Sequence, residues 1–143
     1  MKKSQNTLYR LLISAPMVCL LVALLIIARH QNNAISNHEA NQFTFRSTYF
    51  SIKGVGSSDT IFYQDIKKCQ LVDTLEFDGK TYNGEDYFNG DFVFEKIGEA
   101  RAYFYPKIHS YITISTSKKS YVINDYSIDK TKEVYEQIRK QMP

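Results

Sequence analysis

The side chains of this 143-residue chain best placed for chemistry form an acidic stretch between residues 73 and 95. Its seven acids share the stretch with one lysine, Lys80, and are Asp73, Glu76, Asp78, Glu85, Asp86, Asp91 and Glu95. Carboxylates are the ligands that calcium prefers, but an EF-hand loop needs acids or amides at alternating positions before a glycine. Counting from Asp78, those positions hold Lys80 and Tyr82. Since solvated turns also favour Asp, Asn and Gly, we expect turns here and no metal site.

Histidine and serine offer no catalytic arrangement. The three histidines, His30, His38 and His109, lack the spacing of zinc ligands. His109 adjoins Ser110, but neighbouring residues of a strand point to opposite faces. Neither a nucleophile-elbow, a phosphate-binding nor a dinucleotide-binding motif occurs. We therefore predict a protein without catalytic residues, metal or cofactor, whose binding residues the sequence does not reveal. An enzyme with an unrecognised acidic site is the alternative.

Cys69 and the scattered lysines have two interpretations each. Cys69 alternates in phase with Leu71, which predicts a buried apolar residue rather than a reactive thiol. The basic residues of strand ends and turns could gather into a patch for anionic lipid or polymer, or could be dispersed charges that keep the domain soluble. The near-neutral charge of this part of the chain favours dispersal. The residues concerned are Lys67, Lys68, Arg101, Lys107, Lys118 and Lys119.

The positive charge of the chain belongs to its N-terminus. Residues 1–30 carry four basic residues and no acid, whereas the remainder carries 14 Lys/Arg against 15 Asp/Glu, a net charge of −1. A nucleic-acid-binding domain would show the opposite division, so we expect no nucleic-acid partner.

The segment 11–28 is uncharged and apolar, and lies between Arg10 and Arg29. As a helix it would span about 27 Å, close to the thickness of a bilayer core of about 30 Å. It is longer than the core of a cleaved signal peptide and lacks a small-residue cleavage site, and Cys19 does not follow a lipoprotein pattern. We therefore predict a retained transmembrane helix. More basic residues precede it than follow it, which predicts a cytoplasmic N-terminus and an extracytoplasmic domain at the cell membrane.

The predicted organisation is an N-terminal cytoplasmic flank (1–10), the transmembrane helix (11–28), a polar linker (29–42) and one domain (43–143). From Phe43 onward, apolar residues alternate with a period of two, which predicts about seven short strands. After Ser127, a plausible helix N-cap, the period becomes helical. The fold class is therefore mainly β, an antiparallel sheet or partly open barrel capped by a C-terminal helix.

This pattern resembles the bacterial pleckstrin-homology-like domains, which are small partly open barrels capped by a C-terminal helix. The resemblance covers the chain from Phe50 to Gln141. It is carried by Ile61–Ile66, Gly90–Phe92, Tyr103–Tyr105, Tyr111–Ile114, Tyr121–Asn124, and Thr131 with Tyr135. It implies a non-catalytic binding module. Phosphoinositide-binding members use a basic first hairpin, whereas the corresponding loop here, 53–59, has one lysine and one aspartate.

The sequence thus predicts a single-pass membrane protein that presents a binding or scaffolding module. Its expected partners are the bilayer, through residues 11–28, and a protein at the membrane, with an anionic lipid or polymer as a further possibility. A protective, immunity-type membrane protein that intercepts a toxic protein or peptide is an alternative.

Overall fold

The computed structural model describes the backbone of residues 2–76 and 86–143 and the side chains from Ala15 onward, except those of 77–85. Two helices and eight strands make up the described part. The helices are α1 (Lys2–Ser36) and α2 (Ile128–Gln141). The strands are β1 (Gln42–Phe45), β2 (Tyr49–Gly54), β3 (Ser57–Phe62), β4 (Ile66–Val72), β5 (Phe88–Phe94), β6 (Gly98–Phe104), β7 (Tyr111–Thr116) and β8 (Ser120–Ile123).

Helix α1 is 35 residues long, and its large apolar side chains from Met17 to Ile27 are exposed. Among the described side chains, the stretch Ala15–Ser36, with mean hydropathy 1.5, is long and apolar enough to cross a membrane, and its apolar window is 0% buried. This is compatible with the predicted single-pass helix over 11–28, although such length and composition also suit a signal sequence.

The C-terminal end of α1 is fixed by a capping motif. The backbone N–H groups of His38 and Glu39 donate to the carbonyl oxygens of Ile35 (3.1 Å) and Ala34 (2.8 Å). His38 adopts a φ of 61°, so this is a Schellman motif with histidine in the left-handed position that glycine usually takes. The segment predicted as a polar linker is therefore helical as far as Ser36.

The residues after this cap, Ala40 and Asn41, are buried in the domain. We call these two residues, together with the groups to which they hydrogen-bond, the joint. Ala40 and Asn41 are only 3% and 6% exposed. The Ala40 N–H donates to the Tyr105 hydroxyl (2.9 Å). The Asn41 amide nitrogen donates to the carbonyl oxygens of Tyr103 (3.0 Å) and Asn124 (2.7 Å). The folded unit thus begins before residue 43, and α1 leaves it through a hydrogen-bonded connection.

Strands β1, β2 and β3 form an antiparallel sheet in which Phe45, Phe50 and Ile61 lie in register. Because side chains alternate between faces, residues 57 and 59 of β3 also point to the buried side, where Ile61 packs. Gly54 ends β2 directly under a tyrosine ring. A Cβ on this glycine would stand 2.5 Å from Cδ1 of Tyr103, so no larger residue fits without displacement.

The chain passes from this sheet to the next through a 3-10 turn at Tyr63–Asp65. The Tyr63 ring packs on Phe50, with 5.9 Å between the ring centroids. The second sheet has five strands in the order β4-β7-β8-β6-β5.

The pairing of β6 with β8 is parallel, whereas the other pairs are antiparallel. The all-antiparallel arrangement predicted from the sequence is therefore wrong at this pair, and the described strands do not form a closed barrel. The mainly β class and the C-terminal helix are confirmed. The connection from β6 to β7 leaves one strand position free, and the β7–β8 hairpin returns β8 into it.

Asn124, immediately after β8, holds this connection in place. Its side-chain oxygen accepts from the Tyr105 N–H (2.7 Å), and its amide nitrogen donates to the carbonyl oxygens of Tyr105 (3.0 Å) and Ile108 (3.1 Å). The residue is 0% exposed. All of these bonds join the Asn124 side chain to backbone groups. They favour this path of the chain from β6 to β7, because a different path would leave the buried amide and its backbone partners without hydrogen bonds.

The five-stranded sheet buries apolar side chains on both faces. Its inner face meets the three-stranded sheet and α2 in a cluster that includes Phe50, Tyr103, Ile112 and Ile138. A second cluster lies on the outer face; its members are Phe88, Phe94, Ala100, Ala102, Phe104, Tyr111 and Val122. The predicted cap of α2 is confirmed, since the Ser127 hydroxyl accepts from the Lys130 N–H at 3.2 Å.

Candidate functional site

A groove of about 430 Å³ lies on the outer face of the five-stranded sheet, and we call it the outer groove. Its floor is formed by alternate residues of two neighbouring strands, and its wall by the segment before residue 77 and the β5–β6 turn. The residues that face into it include Lys68, Gln70, Val72, Leu75, Phe94, Lys96, Ile97, Thr113, Ser115 and Ser120.

The floor of the outer groove combines hydrogen-bonding groups with one cation, Lys68, that forms no ion pair with any residue the structure describes. Gln70 lies opposite Thr113, and Lys68 opposite Ser115, across the β4–β7 ladder. Ser115 in turn pairs with Ser120 of β8. Amides and hydroxyls can both donate and accept, so this ladder suits an extended polar ligand such as a polypeptide segment. The Lys68 ammonium adds a preference for a carboxylate or another anion.

The wall of the outer groove is more apolar. Phe94 is buried at its base, and Leu75 and Ile97 are partly exposed beside it. Lys96 lies 3.7 Å from Glu76, but both side chains are exposed, so this ion pair contributes little to stability. Apolar side chains beside a polar floor are typical of ligand grooves.

The sequence analysis missed these residues. It placed Lys68 in a possible basic patch, but it did not single out Gln70, Thr113, Ser115 or Ser120. The sequence signal that could have identified them is the alternation of polar and apolar residues along each strand. The polar residues on one face of two strands form a continuous polar surface when the two strands are neighbours. Only the sheet order reveals that β4 and β7 are neighbours.

Three of the other predicted basic residues form ion pairs, and Lys118 is exposed in the β7–β8 turn. Lys107 pairs with Asp86, and Lys119 lies 3.3 Å from Asp91. Arg101 lies between Asp91 (3.5 Å) and Asp59 (3.5 Å). These three cations are thus matched by acids within the described structure, whereas Lys67 and Lys68 on β4 are exposed.

Arg101 belongs to a polar cluster where β3 faces β6. The Tyr103 hydroxyl donates to Asp59 at 2.6 Å, and the Arg101 guanidinium lies over the Tyr103 ring, 5.2 Å from its centroid. Burial, followed by the hydrogen bond to Asp59, raises the pKa of Tyr103. The hydrogen bond to Tyr103 raises the pKa of Arg101. Every member has an internal partner, so this cluster joins the two sheets and offers no free reactive group.

The acidic stretch does not converge in its described part. Glu76 pairs with Lys96, Asp86 with Lys107, and Asp91 with both Lys119 and Arg101, so these acids lie in three separate places. Within residues 2–76 and 86–143, no group of three or more His, Cys, Asp or Glu side chains could hold a metal ion. Asp78 and Glu85 of the same stretch lie outside the described residues.

The remaining sequence candidates occupy separate places. His38, in the cap that precedes the joint, stacks on Tyr126, with 5.6 Å between ring centroids. His109 is exposed, while Ser110 beside it is 0% exposed and its hydroxyl has no partner among the described atoms. Cys69 is 6% exposed within the inner cluster, so the predicted buried cysteine is confirmed. Burial raises the pKa of its thiol to about 11.

The outer groove runs along β4 from Lys68 to Val72, and its lining also includes Ser120 at the start of β8. Strand β8 begins at Ser120, which lines the groove, and is followed directly by Asn124, which bonds to the joint. At about 3.3 Å per residue, the strand separates the two by about 13 Å.

Comparison with protein-family models, with curated proteins and with solved structures finds no significant match to this chain. The pleckstrin-homology-like resemblance therefore stays a prediction, and the function must be argued from the site itself.

Proposed function

We propose that this chain is a single-pass membrane protein that holds a small, non-catalytic binding domain in a fixed orientation beside the bilayer. In this proposal the outer groove binds a segment of a partner protein in the aqueous phase. The observation that carries the proposal is the joint, because it connects an apolar helix to the domain through buried hydrogen bonds rather than through a free linker.

The surface of α1 supports the membrane part of the proposal. Its large apolar side chains between Met17 and Ile27 are 48–69% exposed. Burial of apolar surface is favourable by about 25 cal/mol per Å², so such a helix requires an apolar surrounding. A bilayer supplies this surrounding, and the uncharged length of residues 11–28 matches its core.

The flanking charges support one orientation. Lys2, Lys3 and Arg10 precede the span, and Arg29 follows it closely. Basic residues are retained on the cytoplasmic side, so the N-terminus is cytoplasmic and the domain extracytoplasmic.

The position of the outer groove supports a protein partner over a lipid of the same bilayer. The end of the groove that holds Lys68, Ser115 and Ser120 lies about 13 Å along β8 from Asn124 of the joint. Its polar floor and its apolar wall fit an extended polypeptide, and Lys68 favours one with a carboxylate. A protective role is one form of this function, in which the partner is a toxic protein or peptide.

Site-specific photo-crosslinking in native membranes tests the proposal. A photoreactive amino acid at Thr113, in the groove floor, is compared with the same residue at Thr60, which is exposed on β3. We expect a discrete crosslinked protein from position 113 alone. Lys68→Glu should abolish it, whereas Lys67→Glu, the same charge change one residue away and outside the groove lining, should not. Identical products from positions 113 and 60, or no product from 113, would contradict the proposal.

A further inference from the structure

The β2–β3 hairpin lies beside the last turns of α1. A cavity of about 440 Å³ between them is lined on the helix side by residues 26–34, including Ile26, Ile27 and Gln31. On the hairpin side it is lined by Lys53, Gly54, Val55 and Gly56. A Cβ on Gly56 would stand 3.9 Å from Nε2 of Gln31. The tip of the hairpin is therefore level with the end of the apolar segment.

The position of the hairpin tip relative to a bilayer follows from its position beside α1. The uncharged segment ends at Ala28, and Gln31 follows three residues later. At a rise of about 1.5 Å per residue, Gln31 lies about 4.5 Å beyond the hydrocarbon boundary. The headgroup layer extends about 5–8 Å from that boundary on each side, so Gln31 and the hairpin tip fall within it.

The joint keeps the hairpin at this level. Asn41 and Ala40 bind the start of β1 to the ends of β6 and β8, and β1 pairs with β2 along its length. The Tyr87 hydroxyl donates to the Asn41 side-chain oxygen at 2.5 Å. Val55 packs with Ile35 of the helix against Tyr87 and Tyr105. The domain therefore does not pivot freely about the end of α1.

The chemistry of the hairpin fits a phospholipid surface. Lys53 is exposed, and it is the only charged residue between Ile52 and Ser58. Arg29 and His30 lie at the same level on the helix. Of the neighbouring acids, Asp59 is engaged by Tyr103 and Arg101, whereas the exposed Glu39 lines the same cavity as Lys53. Lys53, Arg29 and Glu39 together leave a net positive charge at this level. A basic residue at this depth is attracted by the headgroups of an anionic membrane.

We propose that the β2–β3 hairpin, Lys53–Gly56 with the adjacent Ser58, is a second membrane contact that rests in the headgroup layer of anionic phospholipids. The inference rests on the proposed function, since it requires α1 to span the bilayer. With the helix and the hairpin both in contact with the membrane, the domain has two points of attachment.

Tryptophan fluorescence tests the contact, because the chain has no tryptophan of its own. Three single-tryptophan variants of the full chain are reconstituted in phosphatidylcholine/phosphatidylglycerol vesicles: Ile26→Trp in the anchor, Ser58→Trp at the hairpin and Val93→Trp at the far end of β5. Quenchers are placed either in the acyl chains or at the headgroups. We expect acyl-chain quenching of Ile26→Trp, headgroup quenching of Ser58→Trp with a blue shift, and neither for Val93→Trp.

Charge provides a matched second test that leaves the reporter unchanged. In the Ser58→Trp background, Lys53→Glu should reduce headgroup quenching in anionic vesicles, whereas Lys67→Glu should not. Lys53→Trp serves as a second reporter should Ser58→Trp fail to fold by circular dichroism.

The outcomes separate the two proposals. Quenching of Ile26→Trp without headgroup quenching at either hairpin reporter would overturn the hairpin contact and leave the membrane anchor intact. Absence of quenching at all positions would overturn both. Equal quenching at Ser58→Trp and Val93→Trp would also overturn the inference, because it would mean that the domain lies on the membrane without a preferred face.

Discussion

At the residue scale, two buried asparagines contribute more to the structure than their residue type alone would predict. Asn41 and Asn124 are 6% and 0% exposed. Asn41 bonds to the carbonyl oxygens of Tyr103 and Asn124, and the Asn124 side chain bonds to backbone groups of the β6–β7 connection. A buried amide whose partners are lost leaves several groups unsatisfied at once. The connection between helix and domain therefore depends on a few side chains.

Replacing Asn41 with alanine should test this dependence. The change removes two hydrogen bonds to carbonyl oxygens and leaves the Tyr87 hydroxyl without its acceptor. We expect the free energy of unfolding to fall by about 2–4 kcal/mol. Urea unfolding of the detergent-solubilised chain, followed by near-ultraviolet circular dichroism, measures the loss. Gln42→Ala, at the exposed next position, is the control and should change it little. Equal effects of the two would refute the structural role of Asn41.

Cys69 should behave as a protected thiol. Its pKa in the folded chain is about 11, above the ordinary value of 9.0, because burial disfavours the thiolate. Its contribution to stability is therefore fully present below about pH 9 and is lost as the pH rises through about 11. Between these two pH values, the unfolded chain has released the thiol proton and the folded chain has kept it. In a Cys19→Ser background, we expect slow reaction with a thiol reagent at pH about 8 in the native state and fast reaction in concentrated urea. Fast native reaction would contradict its burial.

At the scale of elements, helix α2 is a clear case of local signals that agree with tertiary packing. Ser127 caps its first turn, Asp129 lies near its N-terminus and Arg139 and Lys140 lie in its last turn, as the helix dipole favours. Val134 and Ile138 face the inner cluster. By contrast, β8 has only four residues and is placed by its neighbours.

Loss of the helix cap should have a moderate and local effect. We expect Ser127→Ala to lower the free energy of unfolding by about 1 kcal/mol, since the Lys130 N–H loses its acceptor. Ser127→Asp should retain most of the stability, because aspartate accepts the same bond. Ser117→Ala, in the exposed β7–β8 turn, is the matched control. A change at Ser127 no larger than at Ser117 would contradict the capping role.

At the scale of the whole molecule, the chain combines an apolar helix, a hydrogen-bonded joint and a two-sheet domain whose groove lies on the outer face of the second sheet. This arrangement makes sidedness decisive, because it determines in which compartment a partner meets the groove.

Cysteine labelling should report that sidedness. The native cysteines give little background, since Cys69 is buried and Cys19 lies within the proposed span. We expect Lys118→Cys, in an exposed turn, to react with a membrane-impermeant maleimide on intact cells. Lys3→Cys, in the N-terminal flank, should react only after permeabilisation. The reverse pattern would place the domain and its partner in the cytoplasm.

The order of elements and the apolar segment were predictable because each depends on residues close in sequence. Periods of two and of 3.6 identify strands and α2, and an uncharged run identifies a span by length alone. Cys69 was also predictable, since burial follows from alternation with Leu71.

Only the tertiary structure decided the rest. The parallel β6·β8 pair, the clearance of Gly54 under Tyr103 and the outer groove bring together residues far apart in the chain, and no local period encodes such contacts. The linker over 29–42 looked unpatterned because its last residues are held by hydrogen bonds to Tyr103, Tyr105 and Asn124 rather than by an apolar stripe. The sequence by itself determined that an apolar helix precedes a β domain. The fold decided that the two are joined rigidly, because buried polar groups must find their partners wherever the chain brings them.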